Sequence, residues 1–179
     1  MPRPFVLEEC YGVLERTPGV LRALLAGAPE QLLQTTEGDG TFTPLDVVCH
    51  LLQADRTGWL RRIRIILLHG EAQPFGLFDG IGFRPGQPWQ LPRLLEGFEA
   101  TRAANLRVVR GLRLGADDLE RAGTDPAFGR VTLGELLASW AVHDVGHVAQ
   151  VCHLIAGRYR AQAGPWAASL PILARTEPG

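Results

Sequence analysis

Residues 132–160, TLGELLASWAVHDVGHVAQVCHLIAGRYR, carry the pattern on which the fold turns. Thr132 is a hydroxyl N-cap, and Glu135 three residues on supplies the return bond of a capping box, so a helix starts here. Behind that start, Leu136, Trp140, His143, His147, Val151 and Leu154 recur every three or four residues. They form one stripe of a helix that runs to about Arg160. Two histidines therefore interrupt the side that the pattern assigns to the core.

Working outward, the same spacing predicts three more helices. From Phe5 to about Ala28, Val6, Leu7, Val13, Leu14, Val20, Leu21, Leu24 and Leu25 keep near-helical intervals, with Thr17-Pro18 either restarting the helix or kinking it. Thr43, Pro44 and Asp46 make a start signal for a second helix over 44–69, which Gly70 stops. A third is predicted over 92–113, with Leu94, Leu95, Phe98, Leu106 and Val109 inward and Arg102, Arg107, Arg110 and Arg113 on solvated faces. Between the second and third, residues 70–91 repeat Gly and Pro around Phe75, Phe78, Phe83 and Trp89, as expected of an ordered loop at a pocket mouth or an interface. Residues 117–131 form a further loop. Four helices with no convincing strand run indicate an all-α, four-helix bundle, one domain over 1–179.

Composition narrows the function classes. A 46% hydrophobic, 21% charged chain is that of a globular protein. The net charge of -1 gives no electrostatic reason to expect nucleic acid, and the basic residues form no run beyond Arg61, Arg62 and Arg64. All 18 basic side chains are arginine, which excludes Schiff-base and phosphate-binding lysines. No apolar stretch is long enough for a membrane span, and the N-terminus reads as neither signal nor transit peptide, so a cytoplasmic protein is expected. Cys10, Cys49 and Cys152 are far apart with no C-x-x-C pair, and are expected to pack as small hydrophobes.

The histidines carry the chemistry. Positions four apart on a helix lie about 40° apart around the axis and about 6 Å along it, so His143 and His147 leave one face and can share a metal ion. Hydrogen-bonded core histidines are the plainer reading of the same pair. HDVGHVAQVCH also has the ligand spacing of metzincin proteases, but Asp144 stands where their Glu base belongs and Gln150 where their turning Gly belongs. On a continuing helix His153 lies about 240° round from His147, too far to bind the same ion. A third ligand must come from another helix, and the wheel does not choose between His50 and His69. Cys49 beside His50 points about 100° away and makes no dyad with it.

Three stretches carry a resemblance that covers nearly the whole chain: TFTPLDVVCHLLQADRTGW at 41–59, TDPAFGRVTLGELLASWAVHDVGHVAQV at 124–151, and GPWAASLPIL at 164–173. Together they resemble the DinB/YfiT-like superfamily of small four-helix proteins. The resemblance implies an up-down-down-up bundle and a divalent metal held by His50, His143 and His147. Relatives include enzymes that use bacillithiol or mycothiol for S-transfer or isomerisation, and relatives often pair as dimers.

Three neutral imidazoles leave a divalent ion its full charge and an open position, with which it can acidify a water or a thiol. Zinc or nickel suits such donors. Asp46, one turn before His50, and Asp144, beside His143, are candidates for orienting the imidazoles, or equally for helix-terminus and surface roles. The expected function is therefore that of a metal-dependent enzyme, a thiol S-transferase or hydrolase, acting on a small-molecule substrate with a low-molecular-weight thiol as cosubstrate. The alternative is a non-catalytic metal-binding or structural bundle that acts by self-association. Neither nucleic acid nor a membrane is an expected partner.

Overall fold

The computed structural model describes residues 5–38, 40–76 and 90–173. Long helices α1 (Leu7–Leu25), α3 (Pro44–Thr57) continued by α4 (Trp59–His69), α5 (Leu91–Gly111) and α7 (Leu133–Arg158) form the bundle, with single-turn helices α2 (Glu30–Leu33) and α6 (Ala116–Leu119) between them. Side-chain contacts give the directions. Arg22 pairs with Glu99 and Arg110 with Glu15, so α1 and α5 are antiparallel. Leu52 lies by Gly97 and Asp55 by Asn105, so α3 runs parallel to α5. Trp59 stacks on Trp140 while His50 meets His147, which makes α3–α4 antiparallel to α7. The bundle is therefore up-down-down-up.

Each helix starts where local chemistry permits. Thr43 and Asp46 exchange both bonds of a capping box at α3, as Thr132 and Glu135 do at α7. Thr17-Pro18 does not restart α1, which runs through the proline. Pro18 has no N–H to give to Leu14 O, and Arg102 of α5 donates Nη1–H to that carbonyl at 2.8 Å instead. A side chain from another helix thus fills the acceptor that the proline leaves open.

Two expectations are corrected. The helix expected over 44–69 divides at Gly58, whose ψ of -76 departs from helical geometry; Gly58 N–H still reaches Ala54 O and Arg62 N–H reaches Gly58 O, so the ladder bends there. The loop at 117–131 contains α6 and a hairpin, β1 (Ala122–Asp125) and β2 (Gly129–Thr132), paired from Ala122↔Thr132 to Asp125↔Gly129. Strands of four residues, each with one glycine, are too short for an alternating pattern to register. At the turn, Asp125 Oδ1 accepts from the amides of Ala127 and Phe128, and Gly129 takes the positive φ of 73° that closes it. Gly123 lets the hairpin pack directly on Ile66 and Phe75. The latter is buried, donates its N–H to Thr124 O and lies under Arg62. Phe78, Phe83 and Trp89, the other aromatic residues of the expected loop, fall outside the described residues.

The core has two apolar blocks. One gathers Leu14, Trp59, Ile63, Ile66, Leu106, Leu137 and Trp140, and the other Leu21, Leu25, Val48, Leu51, Leu94, Phe98 and Val151. Between them, at one level of the bundle, lie the buried polar residues Thr17, Asp55, Arg102, Asn105 and Asp144. Arg102 was expected to be solvated. It is 1% exposed because position 102 continues the inward row of Phe98, Leu106 and Val109. Among the described residues, no helix is long and apolar enough to cross a membrane.

Candidate metal centre

The polar layer is where the histidines meet. His50 stands two turns into α3, held there by the Thr43–Asp46 cap. His143 and His147 leave the middle of α7 one turn apart. Across the helix interface, His50 Nε2 lies 3.0 Å from His143 Nε2, and ring nitrogens of all three residues fall within 4.8 Å of one another. Nitrogens sharing a tetrahedral ion at about 2.0–2.1 Å would stand about 3.3 Å apart, so the cluster fits a small divalent cation. All three imidazoles are half-buried. Of the two histidines that the pattern left open, His50 is the one that the fold brings into the cluster. Cys49 is buried away from the cluster, in the second apolar block.

The protonation of His147 suits ligation. Its Nδ1 lies 2.9 Å from Gln150 Oε1, an acceptor only, so Nδ1 carries the hydrogen and Nε2 presents its lone pair. Burial and the neighbouring His143 push its pKa down to about 4, which keeps the ring neutral at physiological pH. The neutral ring is the metal-binding form.

Aromatic side chains wall the cluster. The Phe42 ring stacks near His147 and tilts over His50, with centroids 6.5 and 5.5 Å away. Trp59 meets His143 edge-on at 5.4 Å and stacks on Trp140. A small cleft of about 80 Å³ is lined by Ala54, Gly58, Trp59, Arg62 and His143, so one of the three imidazoles forms part of its wall. Gly58, where the helix bends, is thus part of its wall.

The two candidate carboxylates are placed differently from each other. Asp46 Oδ2 accepts from Thr43 N–H and Oγ1–H in the helix cap. Asp144 is fully buried, with Oδ1 4.0 Å from His143 Nδ1, longer than a hydrogen bond, and it accepts two bonds from Arg102. The same guanidinium makes a two-pronged contact with Asp55 at 2.8 and 2.9 Å and lies over the Phe98 and Trp140 rings. Burial raises the pKa of Asp55 to about 6 despite Arg102, whereas in Asp144 burial is outweighed by its bonding partners, Arg102 among them, and the pKa falls. One guanidinium between two carboxylates leaves the group an excess negative charge beside the imidazoles.

Sequence reasoning missed Gln150, Arg102 and Asp55. The first had a signal in its i,i+3 spacing from His147 and the second in its place on the inward row of α5. Nothing local marked Asp55. The competing third histidine of the protease-like spacing, His153, points elsewhere and pairs with Glu37 at 2.8 Å.

Comparison with known proteins bears on this arrangement. Residues 13–151 match the family model of the DinB superfamily. A solved structure, that of YfiT from Bacillus subtilis, described as a probable metal-dependent hydrolase with an unusual four-helix bundle topology, aligns with a TM-score of 0.73 at 19% identity. The alignment covers 90% of this chain and 93% of that one. No curated protein matches the sequence.

Proposed function

The chain belongs to the DinB superfamily, and we propose on that footing that it is a metal-dependent enzyme whose divalent ion is held by His50, His143 and His147. The observation that carries the reading is the convergence of three imidazoles from two helices, one of them already fixed in its neutral tautomer by Gln150. Bound there, zinc or nickel would supply Lewis acidity toward a water or a low-molecular-weight thiol.

The residues of the chain do the rest. Gln150 keeps His147 Nε2 aimed at the centre, as outer partners of metal-binding histidines do. Phe42, Trp59 and Trp140 give the cluster an apolar surround that strengthens electrostatic interactions within it. The cleft past Gly58 and Arg62 is the approach for a small electrophilic substrate. Asp46 acts by holding the first turn of α3 and Asp144 by anchoring α7 through Arg102.

Hydrolysis is the reading favoured by the likeness to YfiT, and transfer of a thiol such as bacillithiol or mycothiol uses the same acidity. The test is turnover of model esters and amides, and of each thiol or glutathione with an electrophile, with and without a chelator. Turnover that chelation abolishes is expected. Absence of turnover with every substrate, or turnover indifferent to chelation, favours a non-catalytic bundle that self-associates.

A further inference from the structure

On the surface between α4 and α5 lies a groove of about 480 Å³ in which none of the three clustered histidines takes part. Its charged lining is one-sided. Arg56, Arg61 and Arg64 all face it and all are exposed, and no carboxylate among the described residues forms a salt bridge with any of them. Arg22, Arg62, Arg102, Arg110, Arg121 and Arg130 each have an acidic partner, whereas Arg16, Arg93, Arg107, Arg113, Arg158 and Arg160 form no salt bridge with a described carboxylate either, so what sets Arg56, Arg61 and Arg64 apart is that all three line one groove. Asp55, the acidic residue at the groove's inner wall, already has both oxygens engaged by Arg102.

Neighbouring glycines locate two of the guanidinium groups. That of Arg56 lies against Gly97 of α5, and that of Arg61 against Gly76, beyond the end of α4. Thr101 and Asn105 add neutral hydrogen-bonding groups from α5, and Leu60, Ile65 and Leu68 give apolar surface, the last of these 74% exposed. Three like charges lining one groove, with no salt bridge to a carboxylate among the described residues, repel one another, and an anion between them relieves that repulsion. Arginine forks match the geometry of phosphate and carboxylate oxygens. The volume is that of a small-molecule pocket.

We propose that this groove binds a small organic anion, its phosphate or carboxylate head held by Arg56, Arg61 and Arg64 and its apolar part laid on Leu60, Ile65 and Leu68. It is a site separate from the imidazole cluster and does not depend on the metal reading. Sequence inspection saw Arg61 and Arg64 only as a short basic run, because Arg56, Thr101 and Asn105 join them through the fold.

Titration of the full chain with hexyl phosphate, hexanoate and inorganic phosphate, followed by calorimetry or NMR shifts, tests this. Saturable binding of one of the two hexyl ligands is expected, tighter than that of inorganic phosphate, and which head group wins identifies the class of ligand. The R56Q/R61Q/R64Q variant, whose changes are all on exposed positions, is expected to bind at least tenfold more weakly while keeping its thermal midpoint. R93Q/R107Q, which removes two arginines elsewhere on α5, and His147→Ala are expected to bind as wild type does. No saturable binding overturns the proposal, as does equal loss in both arginine variants. Loss in His147→Ala with retention in R56Q/R61Q/R64Q would place the anion at the histidines and overturn it too.

Discussion

Arg102 of α5 donates two hydrogen bonds to Asp144, the residue that follows His143 on α7. The same fork holds Asp55 of α3, and its Nη1 also reaches Leu14 O of α1, so one side chain ties together all four walls of the bundle at the level of the histidines. Burying such a group is costly, but removing one partner is costlier still, because the charges left behind have no solvent.

Arg102→Met is therefore expected to destabilise the fold by about 3–5 kcal/mol, since it leaves two buried carboxylates unpaired. Urea denaturation measures it. A loss under about 1 kcal/mol, the scale of an exposed pair, would contradict the role given to Arg102.

The two carboxylates respond to pH with opposite sign. Burial raises Asp55 to about 6, so between its unfolded value and pH 6 the native state binds more protons than the unfolded chain. Its contribution is fully present below the unfolded pKa and is lost as pH rises through about 6. The stability of wild type relative to Asp55→Asn is thus expected to fall by about 1–3 kcal/mol between pH 4 and pH 8. Asp144, with a lowered pKa, favours the fold above its unfolded value and loses that contribution in acid. Denaturation of both proteins across pH checks the sign, which a difference that grows with pH would reverse.

Gln150→Leu removes the acceptor that fixes His147 without disturbing a core position. It is expected to weaken zinc binding about 10–100-fold, with stability of the metal-free protein changed by less than about 1 kcal/mol. Gln150→Glu, which keeps an acceptor, restores affinity. Competition with a chromogenic chelator reads both variants, and equal affinity of Gln150→Leu and wild type would remove Gln150 from the site.

Gly123→Ala tests the hairpin. A Cβ there would lie 2.9 Å from Ile66 Cγ1 and 2.9 Å from Phe75 Cε1, so the hairpin must shift from α4. A cost of about 1–3 kcal/mol is expected from overpacking.

Much of this was legible in the sequence. The caps at Thr43 and Thr132 and the apolar stripes placed the long helices, because capping and periodicity act over a few residues. His143 and His147 announced themselves by interrupting a stripe. His50 did not, since its wheel position is only a flank, and its part in the cluster depends on how α3 crosses α7. The resemblance to a family supplied what periodicity lacked. Arg102 was misplaced because charge was weighed above position, although its row on α5 was inward. The Arg102–Leu14 bond that fills the acceptor left by Pro18 joins residues 88 apart, and no local pattern encodes it.

The most direct test of the central claim is zinc titration of the purified, chelator-stripped chain by calorimetry, with His143→Ala and His147→Ala alongside. The account predicts one ion per wild-type chain and binding at least about 100-fold weaker in each variant, since the ion then loses one of three imidazoles. Variants that bind zinc with wild-type stoichiometry and affinity would contradict it, leaving the three histidines as core residues and the ion elsewhere.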